Sequence, residues 1–204
     1  MTTCALCSAP EKLEQSHLIP RFVYRGLGAP DGPSRPFLCG ACEDRFSRWE
    51  SRFARDVFHP LVAGKATPVK YGRWLLKFAT SVCWRILENA RRENQLQGHD
   101  SATIDACLKT WTDFLRDRRP DVGAHHLHLL RESRGLQREI KAEVAGRDGA
   151  AWVYVRMGPL ALFGLIRDDS PGQWSGTRIH LEGKLKPRVC VIPERYAQHL
   201  ARRG

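Results

Sequence analysis

The sequence has no run of about 18 apolar residues, the shortest stretch expected to cross a bilayer as a helix. Its first residues, MTTCALCSAPEKLE, also lack the basic and then apolar layout of a secretory signal peptide. We therefore expect no membrane association and a cytoplasmic location, where thiols stay reduced. Internal repeats and low-complexity tracts are absent as well, and 42% apolar with 27% charged residues is typical of a globular protein.

Two C-x2-C pairs stand out among the seven cysteines, and 31 residues separate them. Zinc prefers four thiolate or imidazole ligands in a tetrahedron, and a two-residue spacer lets one tight turn aim both sulfurs at one ion. We therefore predict a structural zinc ion, with buried or redox-active thiols as the alternative. The predicted ligands are Cys4, Cys7, Cys39 and Cys42. The remaining cysteines, expected to be core thiols, are Cys83, Cys107 and Cys190.

Apolar side chains recur at helical spacing through much of the chain after the second cysteine pair. The predicted helices cover residues 43–59, 69–94, 101–118 and part of 123–145. The second is apolar on two sides and should be buried on both, whereas the fourth is more polar. We expect Pro60 to end the first helix, Ser101 to cap the third and Pro120 to close it. The cluster HHLH at residues 125–128 is interpreted as a half-buried helix start.

The hydrophobic period changes after about residue 150, where short segments rich in branched and aromatic residues alternate with turns. These segments are AWVYVRMG, LALFGLIR, TRIHLEG and RVCVIP. They predict an antiparallel sheet of three or four strands over residues 151–193, followed by a C-terminal helix in PERYAQHLARR. The expected fold class is α+β, with a zinc module in residues 1–60 and a basic α+β domain in residues 61–204.

The net charge of +11 is concentrated in the second segment, since residues 61–204 hold 25 Lys and Arg against 15 Asp and Glu. Such an excess suits a polyanionic partner, although an arginine-rich composition also arises without one. No signature for reading bases is present, so we expect sequence-independent phosphate contacts or simply solvated helix faces. The candidate nucleic-acid contacts are Arg21, Arg45, Arg48, Lys70, Arg73, Lys77, Lys184, Lys186 and Arg188.

A short motif, SHLIP at residues 16–20, lies between the two cysteine pairs. The order and spacing of CALC, SHLIP and FLCGACEDRFSRWE resemble the zinc-containing branch of the HNH endonucleases over residues 4–59. In that family a treble-clef zinc site braces a ββα-metal nuclease motif. The resemblance implies hydrolysis of DNA, more than RNA, with Mg2+ or Mn2+ as the catalytic ion. Small proteins of this layout often serve phage defence.

Carried over from the family, His17 takes the position of the general base that activates water. Histidine suits this role because its unperturbed pKa lies near neutral pH. The family also implies two metal ligands, at the positions of Glu43 and Ser16. A carboxylate is a good oxygen ligand for Mg2+ or Mn2+. The chain departs from the family at Ser16, which is normally Asp or Glu and is a poorer ligand here.

A further departure concerns the group that would orient His17, and other helix residues are weak replacements as metal ligands. Residues 18–38 contain no Asn and no second His, so Tyr24, Asp31, Ser34 or a backbone carbonyl would have to orient His17. On the helix, Glu43 and Glu50 are seven residues and about 10 Å apart along the axis, too far to share one ion. A weaker candidate ligand is His59, near the helix end.

Three functional hypotheses follow from these residues. The first is an HNH-like endonuclease that cleaves DNA with a divalent cation. The second is a catalytically inactive treble-clef module that binds nucleic acid or a protein partner. The third is a nuclease subunit that is active only in a complex, where a partner supplies the missing groups.

Overall fold

The computed structural model describes residues 3–65, 68–132, 138–147, 150–167, 176–185 and 189–190. Over these ranges the chain mixes helices with small sheets, as the α+β prediction requires. The elements in chain order are β1 Leu13–His17, α1 Arg21–Leu27, β2 Ser34–Cys39, α2 Gly40–Phe53, a π-helical turn Ala54–Phe58, α3 His59–Val62, β3 Val69–Tyr71, α4 Arg73–Arg92, α5 Ser101–Leu115, β4 Leu127–Glu132, β5 Ile140–Arg147, β6 Ala150–Met157, β7 Leu160–Arg167, β8 Gly183–Leu185 and β9 Val189–Cys190.

The N-terminal segment is built from a hairpin and a helix. Strands β1 and β2 pair antiparallel, and α1 lies in the connection between them. The ladder runs from the pair Leu13 and Cys39 to the pair His17 and Ser34, with an irregularity after Glu14. Helix α2 follows β2 directly, so the end of the hairpin and the start of the helix share one short stretch of chain.

The sequence predicts that Pro60 ends the first helix, and this prediction was wrong. The chain stays helical through the π turn and α3 as far as Val62. Pro60 falls in the first turn of α3, directly after the π-helical turn. The π-helical turn contributes the buried side chain of Phe58. The α2 residue Phe53 stacks on Phe78 of α4, with ring centroids 3.9 Å apart. This aromatic contact joins α2 to α4.

Helix α4 is the central element, and every residue from Trp74 to Ala90 is buried, as predicted for this helix. Its start was placed too early, because residues 69–71 form β3 and pair with β8.

In α5 the N-cap is Asp100 rather than Ser101. The Asp100 carboxylate accepts a hydrogen bond from the backbone N–H of Ala102 at 3.2 Å.

The predicted fourth helix within residues 123–145 was wrong, because this segment forms β4 and β5. The two strands belong to a five-stranded sheet with the order β5-β6-β7-β4-β9. In β4 the side chains alternate, so Leu127 and Leu129 join the main core while Leu130 joins a second cluster on the opposite face. A period of two was present in this segment, but its short length made it ambiguous.

The last two predicted strands also differ from expectation. Within TRIHLEG, Arg178 makes an isolated bridge to His128 of β4, and Gly183 begins β8. Strand β8 pairs with β3 instead of forming a local hairpin, and β9 lies parallel to β4. Strand partners and directions of this kind depend on long-range packing that local sequence does not encode. The predicted C-terminal helix, Lys186 and Arg188 lie outside the described residues.

Helices α4 and α5 cover one face of the sheet. The closest approach is at Gly164 of β7, where an added Cβ would lie 2.9 Å from the Cys83 sulfur and from the Trp111 ring. One hydrophobic cluster extends from Cys4 in the N-terminal segment to Ile166 in the sheet. Within the described ranges, no helix combines the length and apolarity needed to cross a membrane.

Candidate functional site

Four cysteines converge where the hairpin meets α2. Cys4 and Cys7 lie on the turn before β1, Cys39 ends β2, and Cys42 is in the first turn of α2. Their sulfur atoms all lie within 4.8 Å of one another, and the Cys7 and Cys39 sulfurs are 3.7 Å apart. A tetrahedron with Zn–S bonds of about 2.3 Å has edges of about 3.8 Å. The cluster can hold a zinc ion, as predicted from the spacing.

The first cysteine turn is closed by backbone hydrogen bonds on both sides. The N–H of Cys4 donates to the carbonyl of Ala9 at 2.9 Å, and the N–H of Ser8 donates to the carbonyl of Cys4 at 2.8 Å. Ser8 adopts a positive φ of 63°, which reverses the chain after Cys7. A further bond from the N–H of Ala5 to the carbonyl of Phe37, at 2.9 Å, ties the turn to β2.

Thiol ionisation in the cluster reflects burial and backbone donors. At Cys4 burial opposes ionisation, but hydrogen bonds from the backbone of Cys39, Cys7 and Leu6 prevail and lower the pKa to about 7. At Cys42 burial, a hydrogen bond with Cys39 and the charge of Cys4 raise the pKa. A bound divalent cation overcomes the effect of burial on the thiol pKa values, because a coordinating thiol is deprotonated outright. The donor set therefore fits a bound zinc ion.

Cys83 and Cys107 are fully buried in α4 and α5, as expected of core thiols. Burial raises the pKa of both. Such thiols are protonated and unreactive at neutral pH.

The hairpin brings Ser16 against the start of α2. Ser16 is almost completely buried, and its hydroxyl donates a hydrogen bond to the Glu43 carboxylate. Glu43 lies in the first turn of α2, where the helix dipole favours a negative charge. Burial raises the pKa of Glu43, while the Ser16 hydrogen bond and the charges of Arg85 and His17 oppose that rise. The two residues predicted as metal ligands are thus in direct contact.

His17 is the last residue of β1, and its ring is partly exposed. Among the described residues the imidazole has no side-chain hydrogen-bond partner. Of the candidates to orient it, Asp31 is held by Arg21 through two nitrogen atoms. The Asp31 pKa is lowered chiefly by Arg21 and, more weakly, by the charge of His17. Ser34 lies opposite His17 in the ladder, and the Tyr24 ring packs against Gly32.

Arg85 of α4 also belongs to this site, and sequence reasoning missed it. Its side chain is 2% exposed. One terminal nitrogen donates to the backbone carbonyl of His17 at 2.9 Å, and the other donates to the Glu50 carboxylate. A signal was present, because Arg85 interrupts an apolar stretch between Trp84 and Ile86, where a solvated arginine is not expected.

The other candidate ligands do not join Glu43. Glu50 is bound by Arg85, and His59 is exposed at the start of α3, with its ring centroid 6.3 Å from that of Phe22. Over the part of the chain that the structure covers, the four cysteines are the one group of three or more acidic, histidine or cysteine ligands that converges. A divalent cation at Glu43 would therefore have one carboxylate and the Ser16 hydroxyl as protein ligands.

The predicted nucleic-acid contacts fall into different environments. Lys77 is buried, with its ammonium bound by the Phe114 carbonyl and by Asp117, so it is not presented to solvent. Two exposed arginines make bonds to backbone carbonyls, Arg45 to that of Leu115 and Arg73 to that of Arg119.

The remaining described candidates are exposed. Arg21 pairs with Asp31, and Arg48 lies on the solvent side of α2. Lys70 and Lys184 are direct partners in the β3–β8 ladder, and both are exposed. Like charges directly opposite each other in a ladder repel, so an anion bound between them would be stabilising.

Comparison with models of protein families, with curated proteins and with solved structures returns no match.

Proposed function

We propose that this chain is a zinc-braced endonuclease of the HNH type, which hydrolyses DNA phosphodiester bonds with His17 as its general base. The observation that carries the proposal is the contact between the end of β1 and the start of α2. There the Ser16 hydroxyl bonds the Glu43 carboxylate, with His17 next to it in the chain and the cysteine cluster alongside. The hairpin and α2 correspond to the ββα unit of such a nuclease.

Zinc has a structural role in this proposal. Its four thiolates lie on the turn before β1, on β2 and on α2, so one ion joins three pieces of chain. A closed set of four thiolates leaves no open position for substrate. Catalysis therefore depends on the neighbouring groups that the ion holds in place.

His17 is suited to accept a proton from water because its ring is partly exposed and has no side-chain partner among the described residues. A neutral imidazole takes up a proton near neutral pH and holds it during attack on phosphorus. The charge of His17 weakly favours the ionised forms of the Glu43 and Asp31 carboxylates, which is consistent with a common site.

The Glu43 carboxylate, with the Ser16 hydroxyl, fits a Mg2+ or Mn2+ ion that completes its shell with water and substrate. Mg2+ is usually bound by one or two carboxylates plus substrate phosphates, so this sparse donor set suffices only when DNA is bound. The ion would neutralise the charge that develops on the phosphate. Ser16 keeps Glu43 turned towards β1 and away from solvent.

The exposed cations supply a surface for the DNA backbone. Arg48 lies on α2, and Lys70 and Lys184 form a cross-strand pair on β3 and β8. Contacts of this kind give salt-sensitive affinity without sequence preference.

The second candidate function is a non-catalytic module that binds DNA or a protein. The observation that favours it is that Ser16 already bonds Glu43 and Arg85 already neutralises Glu50, so neither acid needs an ion. A nuclease subunit that requires a partner gives the same picture for the isolated chain.

A plasmid-nicking assay separates these functions. We expect wild type to convert supercoiled plasmid to the nicked form with Mg2+ or Mn2+, and His17→Ala and Glu43→Gln to lose this activity while keeping equal zinc. Substitution of the exposed His180 by Ala is the matched control and should nick normally. Absence of nicking by wild type, with salt-sensitive DNA binding intact, would identify the binding module. Nicking that appears only with an added partner would identify the subunit.

A further inference from the structure

A single guanidinium is buried inside the apolar surface of α4. Arg85 lies between Trp84 and Ile86, and all three side chains are buried. Removing an ionised group from water is costly unless it is paired and hydrogen-bonded. The residue is therefore held by interactions that offset this cost, and those interactions lead to the candidate site.

The two ends of the Arg85 fork bind two different elements. One terminal nitrogen donates to the His17 carbonyl, at the end of β1, and the other donates to Glu50, on the last part of α2. The guanidinium carbon lies 5.3 Å from the centroid of the Phe46 ring, also on α2. A planar group with fixed donor directions can hold two such partners at a set separation, whereas an ammonium cannot reproduce the geometry.

The His17 carbonyl lies at the end of the β1–β2 ladder. The pair His17 and Ser34 is the last of the β1–β2 ladder, and the chain then turns through Leu18 and Ile19 into α1. The Arg85 donor satisfies this carbonyl and thereby fixes the backbone that carries the imidazole.

We propose that Arg85 is the positioning residue of the candidate site: it fixes the end of β1 relative to α2, where Ser16 meets Glu43, and so holds in place the backbone that carries His17. The catalytic consequence rests on the proposed function. The geometric consequence does not, because it concerns only the backbone of His17. Helix α4 lies outside residues 4–59, so the site is completed by a part of the chain that the family resemblance does not include.

The first test uses the wild-type chain and NMR spectroscopy. The terminal guanidinium protons of Arg85 should exchange slowly with water and show a scalar coupling across the hydrogen bond to the His17 carbonyl carbon. Arg91, an exposed arginine of the same helix that pairs with Glu88, is the internal control and should exchange fast. Equal exchange of the two guanidinium groups, without the coupling, would overturn the proposal even if no variant folds.

The second test uses substitutions. Arg85→Met keeps the volume and removes the donors, and Arg85→Met with Glu50→Gln also avoids leaving a charge unpaired. Both should retain zinc while the His17 ring and carbonyl resonances shift. The nicking kcat should fall by about 10²-fold with little change in KM, because small misplacements of a catalytic group have effects of this size. Arg85→Lys should restore only part of the rate.

The outcomes separate this inference from the proposed function. If wild type does not nick DNA, the endonuclease proposal fails, and Arg85 is judged by the His17 resonances alone. If wild type nicks DNA and the double variant keeps both the wild-type kcat and the wild-type His17 resonances, the positioning role is wrong. A matched Arg91→Met variant should leave zinc, resonances and kcat unchanged.

Discussion

Acidification from pH 7 to pH 5 is expected to destabilise the fold through one buried histidine. His128 lies on β4 with 1% of its surface exposed, and its Nδ1 is 3.0 Å from the Thr177 hydroxyl. Burial, followed by the charges of His126, Arg178 and His180, lowers the pKa of His128 from 6.5 to about 4. The folded protein therefore resists the proton that the unfolded chain accepts.

The sign and size follow from this pKa. A histidine whose pKa is depressed by folding binds fewer protons in the native state, so stability falls as the pH drops from 6.5 towards 4. For a shift from 6.5 to about 4, the loss between pH 7 and pH 5 is about 2 kcal/mol, and it reaches about 3 kcal/mol near pH 4. This is a large part of the stability of an ordinary domain.

Urea denaturation followed by tryptophan fluorescence at pH 7 and pH 5 measures this loss. Acid also protonates thiolates and other histidines, so the informative quantity is the difference between wild type and His128→Gln. Glutamine can still bond Thr177 but does not titrate. We expect the variant to lose about 2 kcal/mol less than wild type between the two pH values. The exposed His59→Gln is the control and should lose as much stability as wild type between the two pH values. Equal losses for wild type and His128→Gln would refute the reasoning.

Three further predictions follow from the cysteine cluster, the core and the basic surface. Native mass spectrometry of the purified chain should show one bound zinc ion. Chelation or Cys42→Ser should release the ion and reduce the helical signal in circular dichroism. Full helicity without zinc would contradict a structural role for the ion. Gly164→Ala should lower the free energy of unfolding by about 1–3 kcal/mol, because the added Cβ would contact side chains of α4 and α5. Gly40→Ala is the control and should not lower it, because an added Cβ there has no neighbouring atom within 4 Å. Replacing Lys70 and Lys184 by Gln should reduce the slope of log affinity for DNA against log salt by about two; an unchanged slope would exclude this pair from the interface.

The parts of the fold that could be predicted are those fixed by strong local patterns. The apolar stretch of α4 has a helical period, β6 and β7 are short segments rich in branched and aromatic residues, and the spacing of the cysteines identified the metal cluster. The strands β4 and β5 were mistaken for a helix because they contain leucine, alanine or lysine, which also favour helices. Strand β4 is set by pairing with β7, beyond two intervening strands, whereas β5 pairs with β6, which follows it directly in the chain.

The candidate site was predictable only where it is local in sequence. Ser16, His17 and Glu43 could be identified from their distance to the cysteines, and Ser16 and Glu43 are in contact. Arg85 could not be placed there, because it is 68 residues from the carbonyl it binds. Lys77 was assigned to the surface on its charge alone, although the packing of α4 against α5 buries it. Long-range contacts decided both cases.

The central claim is that two cations have separate roles, zinc in bracing the site and a divalent ion at Glu43 in cleavage. Anomalous diffraction at the zinc and manganese edges tests it most directly, in crystals of wild type with Mn2+ and a DNA duplex carrying a non-hydrolysable linkage. We predict a zinc peak among the four cysteine sulfurs and a manganese peak at the Glu43 carboxylate, in contact with a DNA phosphate near His17. A zinc peak alone, with the DNA bound away from His17, would contradict the claim.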